Sequence, residues 1–520
     1  MRLTALLGLL LTVLCQYGDG YRILGINIFH GKSHFVMFER LYKELAKRGH
    51  VVDVVSHFPQ KNPPPRYNDL SIKGIVPNLV SAVSLSFFEQ LSTSTVAMVD
   101  FMTTDCGLDA CTKALNTSVA RDLKMSTQKY DLIISEIFGS DCPFGYAYLF
   151  DVPVVTLTTS VNLPWGNDRF GNPDNPSYIP NYFLPYLSEM TLWERIWNTV
   201  VVMTAKFRYK QKSLSRSNEA VKNFFGSSTP ELEDLIMKYS ALHLVNSHYS
   251  INVARPWVPN VIEVGGLHIQ DPKPLPEYFE KLMDTGKEYK GVVFLSLGSM
   301  AALETLPLET LRTFCNAFGQ LPYKFLLVGP RDKMPKSLDI PKNVIFEQWM
   351  PQRDILCHPN LKLFVTHGGL MGSQEGVYCG VPMLAFPIFV DQHLNIRNFV
   401  AKGLALKLSL NHLTTDSLLN ATRNLLEDPQ YKENAQMVSH QFRDRPLSAA
   451  DTAVYWVEYV IRHKGARQLR SVGATLPWYQ YHLLDVAAVM LSVAFVTLYS
   501  AYVIIRRLVM PRAMQKLKVN

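Results

Sequence analysis

The chain has 520 residues, enough for two to four domains, and its 48% apolar and 18% charged residues describe a globular protein without disordered or collagen-like bias. The formal charge of +8 is concentrated at one end, because Arg506, Arg507, Arg512, Lys516 and Lys518 all lie behind residue 505. The body is therefore close to balance, and the basic stripe of a nucleic-acid binder is missing.

Met1-Arg2, the apolar run Leu3–Leu14 and the small residues Gly18 and Gly20 have the pattern of a secretory signal over residues 1–20. The run is too short to span a bilayer. Beyond it stand Cys106, Cys111, Cys142, Cys315, Cys357 and Cys379. None has CxxC or Cys/His zinc spacing, so no metal is expected, and no disulfide pairing is chosen. Asn116-Thr117-Ser118 and Asn420-Ala421-Thr422 are acceptor triplets for N-glycosylation, at Asn116 and Asn420.

The apolar run Arg22–Ile28 predicts a strand, broken at Gly31-Lys32-Ser33-His34. Helical spacing follows through Phe35, Phe38, Leu41 and Leu45 to Gly49, and Val51–Val55 resumes strand character. This βαβ unit puts His34 where a strand ends and a helix begins, the place where open parallel sheets bind ligands. A His there can be a plain cap, but imidazole is also the side chain best suited to take a hydroxyl proton near neutrality. A base needs a carboxylate to fix its tautomer. The strand Asp131–Ser135 leads to Glu136, with Asp141 five residues further on, and either could serve as that partner or as a helix cap.

Residues 60–125 and 160–260 show no clean alternation and are rich in aromatics and proline, with a loop by composition at Gly171–Pro180. Such inserts commonly shape binding sites. Pro272, Pro274 and Pro276 cannot continue a helix or a central strand, which places a domain crossover near residue 270, between a domain at 21–270 and one at 271–470. The second domain opens with a strand at Val292–Leu297, turns at Gly298-Ser299, and continues with a helix at Leu306–Phe318 and a strand at Tyr323–Val328.

The most informative stretch is Phe346–Gln392. A β-branched run, Leu361–Thr366, breaks at His367-Gly368-Gly369, a helix follows over Leu370–Tyr378, and Met383–Phe386 returns as a strand. Strand, Gly-rich turn, helix and strand form a nucleotide-binding layer, with free N–H groups at the helix start facing an anion. Trp349 and Gln352 precede this unit, Ser373 and Glu375 lie one turn into the helix, and Asp391-Gln392 follow. The constellation resembles the signature of the UDP-glycosyltransferase family, in its membrane-bound animal branch and with an arthropod flavour.

The resemblance implies an α/β protein of two Rossmann-like domains facing a cleft, the GT-B fold. It implies an inverting transfer of a hexosyl group from a UDP-sugar, most simply UDP-glucose, to a hydroxyl of a small lipophilic acceptor, with no further cofactor. His34 takes the place of the base. Asp141, which matches the arthropod pattern, is preferred as its partner, with Glu136 as the alternative. Trp349 and Gln352 would receive uracil, and Glu375 the ribose. Ser299, His367, Gly369 and Ser373 would hold the diphosphate, and Asp391 and Gln392 the sugar. Met371 departs from the pattern, standing where many relatives have Asn. UDP-glucuronate as donor, a sphingolipid-like acceptor and a non-catalytic UDP-sugar-binding, chaperone-like protein are the alternatives, and a homo-oligomer is compatible with the family.

The run Leu483–Ile505 is apolar apart from Asp485, long enough for a transmembrane helix, and ends at Arg506-Arg507. With the signal ahead of it, this predicts a single-pass type I protein with luminal domains and a cytoplasmic tail at 506–520. Lys516–Asn520 resembles a dilysine signal for the endoplasmic reticulum.

Overall fold

The computed structural model describes residues 20–77, 87, 94–298 and 302–517, with side chains up to residue 508. The leader expected over residues 1–20 lies outside them apart from Gly20, as do Ser299 and the end of the tail. The chain forms one compact unit up to Arg470 and a second from Ser471 to Asn520.

Two parallel sheets organise the first unit. Strands β1 (Arg22–Ile26), β2 (Val51–Ser56), β3 (Tyr67–Ser71), β4 (Leu132–Glu136), β5 (Val154–Thr158), β6 (Ser240–Val245) and β7 (Val261–Glu263) lie in the order β3-β2-β1-β4-β5-β6-β7. The second sheet contains β8 (Val292–Ser296), β9 (Lys324–Val328), β10 (Val344–Glu347), β11 (Leu361–Thr366), β12 (Met383–Ala385) and β13 (Ala405–Lys407), in the order β10-β9-β8-β11-β12-β13. The central strands are apolar on both faces because helices cover both. In β8, for instance, Val292, Val293, Phe294 and Leu295 are all fully buried. In each sheet the order reverses once, between β1 and β4 and between β8 and β11. The loops at those two points diverge and leave a crevice.

Helices carry the chain between strands: α1 (Lys32–Lys47), α2 (Thr95–Thr103), α3 (Leu192–Tyr209), α4 (Leu308–Phe318), α5 (Leu370–Tyr378), α6 (Gln392–Ala401) and α7 (Ala449–Arg462). In α1, Phe35, Phe38, Leu41, Tyr42 and Leu45 form the buried stripe that the spacing predicts. The segment 160–260, which lacks strand alternation, contains the 18-residue helix α3. It starts at a capping box in which Thr191 and Glu194 satisfy each other's backbone N–H groups.

The packing differs from a simple division at residue 270. Phe442 belongs to the core around the second sheet, whereas Ala449, Ala453, Val457 and Val460 of α7 pack with Phe38, Leu41 and Leu45 of α1 on the first. The chain thus crosses back before α7. Glu458 secures the return, accepting hydrogen bonds from Arg48 (3.2 and 3.1 Å) and contacting His50 Nε2 (3.1 Å).

Disulfides join Cys111 to Cys142 and Cys357 to Cys379, while Cys106 and Cys315 are free and buried. Closing loops of 31 and 22 residues stabilises the fold by about 3–4 kcal/mol each on loop-entropy grounds.

The second unit is a run of short turns followed by α8 (Leu484–Leu517). Residues Leu484–Leu508 of α8 are exposed along their length and are long and apolar enough to cross a membrane.

Burial works against the charge of Glu458, but the hydrogen bonds from Arg48 and His50 outweigh it and hold the carboxyl below its ordinary range. A depressed carboxyl contributes stability that is present above its unfolded pKa of about 4.5 and lost as pH falls through the folded value. Thermal melts from pH 7 down to 3 should show a smaller acid-induced loss for Glu458→Gln than for the parent. Parallel losses in the two would mean that the carboxylate does not tie α7 to the body.

Candidate active site at the two switch points

His34 sits in the first turn of α1, behind the end of β1, while Glu136 is the last residue of β4. The two strands are neighbours, with Ile26 opposite Ser135, so the reversal of strand order brings the two side chains together. His34 Nδ1 lies 2.6 Å from Glu136 Oε1 and 2.9 Å from the Thr159 hydroxyl, which also donates to Glu136 at 3.2 Å. The Phe29 and Phe138 rings meet the imidazole edge-on at 4.6 and 4.7 Å. The carboxylate selects the tautomer with the proton on Nδ1, which leaves Nε2 a free acceptor.

The carboxylate on His34 is therefore Glu136 and not Asp141, the preferred candidate from the sequence. Asp141 is buried and receives both arms of Arg169, at 2.8 and 3.0 Å, together with the hydroxyl of Tyr209. Its chain neighbour Cys142 is tied to Cys111. A buried carboxylate so paired is a structural ion pair.

In the second sheet, the turns after β8 and β11 face each other. Gly298 and Gly368 both have φ near +85°, a region that favours glycine. A Cβ at Gly298 or at Gly369 would come within 2.5 or 2.4 Å of the His367 ring. Burial lowers the His367 pKa to about 4, so the imidazole is neutral, and its Nδ1 is enclosed without a partner. The Ser373 hydroxyl is likewise buried and unpartnered. Gly369 occupies the start of α5 without a side-chain cap, leaving the first N–H groups of the helix open. Unsatisfied buried donors around an uncapped helix start are suited to an anionic diphosphate. Ser299, expected beside them, lies outside the described residues.

Glu375 lies further along α5, and Gln352 Nε2 donates to it at 2.6 Å. The Gln352 side chain thus orients the carboxylate. The Cys357–Cys379 bridge, just behind the two residues, holds their helices together. Burial raises the Glu375 pKa to about 7, against the hydrogen bond from Gln352. Trp349 is 68% exposed, with the edge of Phe279 beside it at 6.4 Å, so its indole offers a surface for a flat base. Met371 packs with the core of the first sheet and meets Asn246 Nδ2 at 3.5 Å, so its side chain serves the contact between the halves.

Asp391 and Gln392 begin α6. Gln392 Oε1 accepts the N–H groups of Ile388 and Phe389 at 2.8 and 3.2 Å, which leaves its amide nitrogen to donate. Asp391 accepts from Asn395 (2.9 Å), whose amide also reaches the Gly368 carbonyl (3.1 Å) and so links the two turns. Burial raises the Asp391 pKa to about 6, against the hydrogen bond from Asn395. Phe138, whose ring meets His34, packs in one cluster with Tyr182 and with Leu394 of α6, which brings the surroundings of His34 to the start of α6. The Tyr182 phenol is pushed upward by burial and then by the charges of Asp391 and Glu136. Thr159, Asn395 and Tyr182 carry no motif of their own; only the i,i+4 spacing of Asp391 and Asn395 could have been read in advance.

Asn116 and Asn420 are both exposed. Among the described residues, no three His, Cys, Asp or Glu side chains gather as a metal ligand set.

Two facing parallel sheets with sites at their switch points define a GT-B glycosyltransferase fold. The calicheamicin glycosyltransferase CalG4 shares it, with a TM-score of 0.53 at 18% identity over 86% of this chain and 99% of that one. A kitacinnamycin glycosyltransferase does too, at 0.54 and 18%, over 85% and 99%. The family described as UDP-glucoronosyl and UDP-glucosyl transferase matches residues 64–517. UDP-glucosyltransferase 2 of Dactylopius coccus is 36% identical over 98% of both chains. Human UDP-glucuronosyltransferase 2B15 is 32% identical over 88% of both. The chain belongs to the UDP-glycosyltransferase family and is an enzyme that transfers a glucosyl or glucuronosyl group from a UDP-sugar to a small acceptor.

The different surroundings of the two carboxylates separate their variants. Asp141→Asn leaves Arg169 buried without its counter-charge and should cost roughly 3–5 kcal/mol of stability. Glu136→Gln should melt close to the parent while losing most activity. The reverse pattern in paired melting and turnover measurements would return Asp141 to the catalytic role.

Proposed function

We propose that the protein is an inverting UDP-glucose-dependent glucosyltransferase in which His34 is the base. The observation that carries this reading is the 2.6 Å contact of His34 with Glu136, beside the Phe138 ring that packs with Leu394 at the start of α6. Nε2 of His34 accepts the proton of the acceptor hydroxyl as its oxygen attacks the anomeric carbon. The imidazolium is stabilised by Glu136, as Nδ1–H donates to the carboxylate. Trp349 receives uracil, Glu375 accepts the ribose hydroxyls, and Asp391 and Gln392 hold the glucose hydroxyls. The departing diphosphate gathers negative charge at the start of α5, beside His367, Gly369 and Ser373. Those donors are in place before reaction, which is the efficient form of electrostatic stabilisation.

Glucose rather than glucuronate is favoured by the charges around Asp391. Arg397, the nearest cation along α6, is exposed, and its charge bears on Glu194 of α3. Among the described residues the side chain that bonds Asp391 is the neutral Asn395, and a glucuronate carboxylate there would face a like charge.

The acceptor side is apolar and aromatic. Phe29 and Phe138 flank His34, and Leu163, Trp165 and Tyr182 form a core with Leu394 of α6. This favours small lipophilic alcohols or phenols. We place the protein in the endoplasmic reticulum membrane, anchored by α8 with its catalytic body in the lumen. The two disulfides and the exposed Asn116 and Asn420 support an oxidising, glycosylating compartment.

The test is a transfer assay on membranes carrying the chain, with labelled UDP-glucose and UDP-glucuronate against mixed phenols. Glucoside should form, and His34→Ala should lower its rate by about 10²–10⁴-fold. Glucuronide in its place would keep the mechanism and overturn the donor. No product from either donor, with saturable UDP-sugar binding retained, would point to a binding protein.

A further inference from the structure

Asn246 follows the last residue of β6 and is fully buried. Its backbone N–H continues the ladder to the Thr158 carbonyl at 3.1 Å. Its side chain reaches two other parts of the chain. Nδ2 donates to the carbonyl of Thr159 at 2.7 Å, and Oδ1 accepts the N–H of Gly266 at 3.3 Å. A carbonyl can only accept and an N–H can only donate, so both contacts are lost if the amide turns over. Nδ2 also meets Met371 Sδ at 3.5 Å, in the first turn of α5. Around it, Gly266 N–H is shared with Gln374 Oε1 at 3.1 Å, and His268 Nε2 donates to the Met371 carbonyl at 3.1 Å. Gln374 is as buried as Asn246. On the other side, the Thr159 hydroxyl stands 2.9 Å from His34 Nδ1 and donates to Glu136. Thr159 is thus held at both ends, its carbonyl by Asn246 and its hydroxyl at the His34–Glu136 pair.

We propose that Asn246 is a positioning residue for the transfer, aligning the His34–Glu136 pair with the start of α5 through one buried amide. The inference rests on His34 as the base and on α5 as the diphosphate site, and adds the side chain that holds one in register with the other. Such register matters because a misplacement of about 1 Å between reacting groups costs on the order of a hundredfold in rate. The Thr159 hydroxyl orients Glu136 against the imidazole, and its reach depends on where the backbone of residue 159 sits. Thr159 lies one residue past the end of β5, so the strand no longer fixes it, and the Asn246 amide takes over that task. The same amide, through Gly266 and Met371, bears on the first two turns of α5. Only a side chain that donates to one half and accepts from the other can do both, and an aliphatic one of the same size does neither. Networks of this kind are apportioned by double-mutant cycles.

The full chain in detergent is followed in single turnover, which separates transfer from donor binding, with the donor and phenol on which the parent acts. Asn246→Leu should lower the transfer rate on the order of tenfold and also weaken binding of the UDP-sugar. Thr159→Val should lower the rate by a similar factor with donor binding unchanged, and Thr159→Ser, which keeps the hydroxyl, should restore it. The two substitutions together should be about as slow as the slower one alone, because both act on the same contact with Glu136. Should Asn246→Leu fold poorly, the smaller Asn246→Ser loses the same two contacts and carries the same expectations. Losses that multiply in the double variant would overturn the proposal. So would Asn246 variants that melt earlier than the parent but transfer and bind the donor as it does. A parental rate in His34→Ala would instead overturn His34 as the base, and this inference with it.

Discussion

The reversal of strand order, once in each sheet, is the constraint on which the site depends. A parallel strand must be followed by a crossover, and where successive crossovers leave in opposite directions no helix covers the strand ends. Between β1 and β4 that opening receives His34 and Glu136, and between β8 and β11 it receives Gly298, His367 and Gly369. Neither crevice is a site alone. The return of α7 to the first sheet, held by Glu458, and the contact of Met371 with Asn246 keep the two halves of the body joined.

Burial then sets the chemistry. The same desolvation that keeps His367 neutral raises Glu375 and Asp391 towards neutrality. These groups are partly shielded from water before any ligand arrives, at a cost in stability that close pairing limits for Glu375 through Gln352 and for Asp391 through Asn395. Groups shielded and fixed in this way interact strongly with a diphosphate or a sugar hydroxyl, because little reorganisation remains.

Much of this was legible in the sequence because it is local. The strand periods, the glycines at His367-Gly368-Gly369 and the position of His34 follow from short-range rules, and β11, α5 and β12 fall where those rules predict. What was not legible depends on residues far apart in the chain. Glu136 and Asp141 are both carboxylates just past one strand, and the choice between them is made by Arg169 and Tyr209, 28 and 68 positions from Asp141. Cys111 pairs with Cys142 rather than with its sequence neighbour Cys106, because the loop after β4 packs over the helix that carries Cys111. The return of α7 could not be seen either, since an amphipathic helix does not state which sheet it covers. Helix α3 escaped because it is apolar on both sides, which blurs the period.

The central claim is that acceptor and UDP approach the anomeric carbon from opposite sides, one from the His34 crevice and the other from the start of α5. Proton NMR of the first glycoside formed from UDP-α-glucose tests it most directly, since the anomeric coupling reports the stereochemistry before any mutarotation. A β-glycoside is the predicted product. An α-glycoside would mean retention, and would contradict a single in-line displacement with His34 as the base.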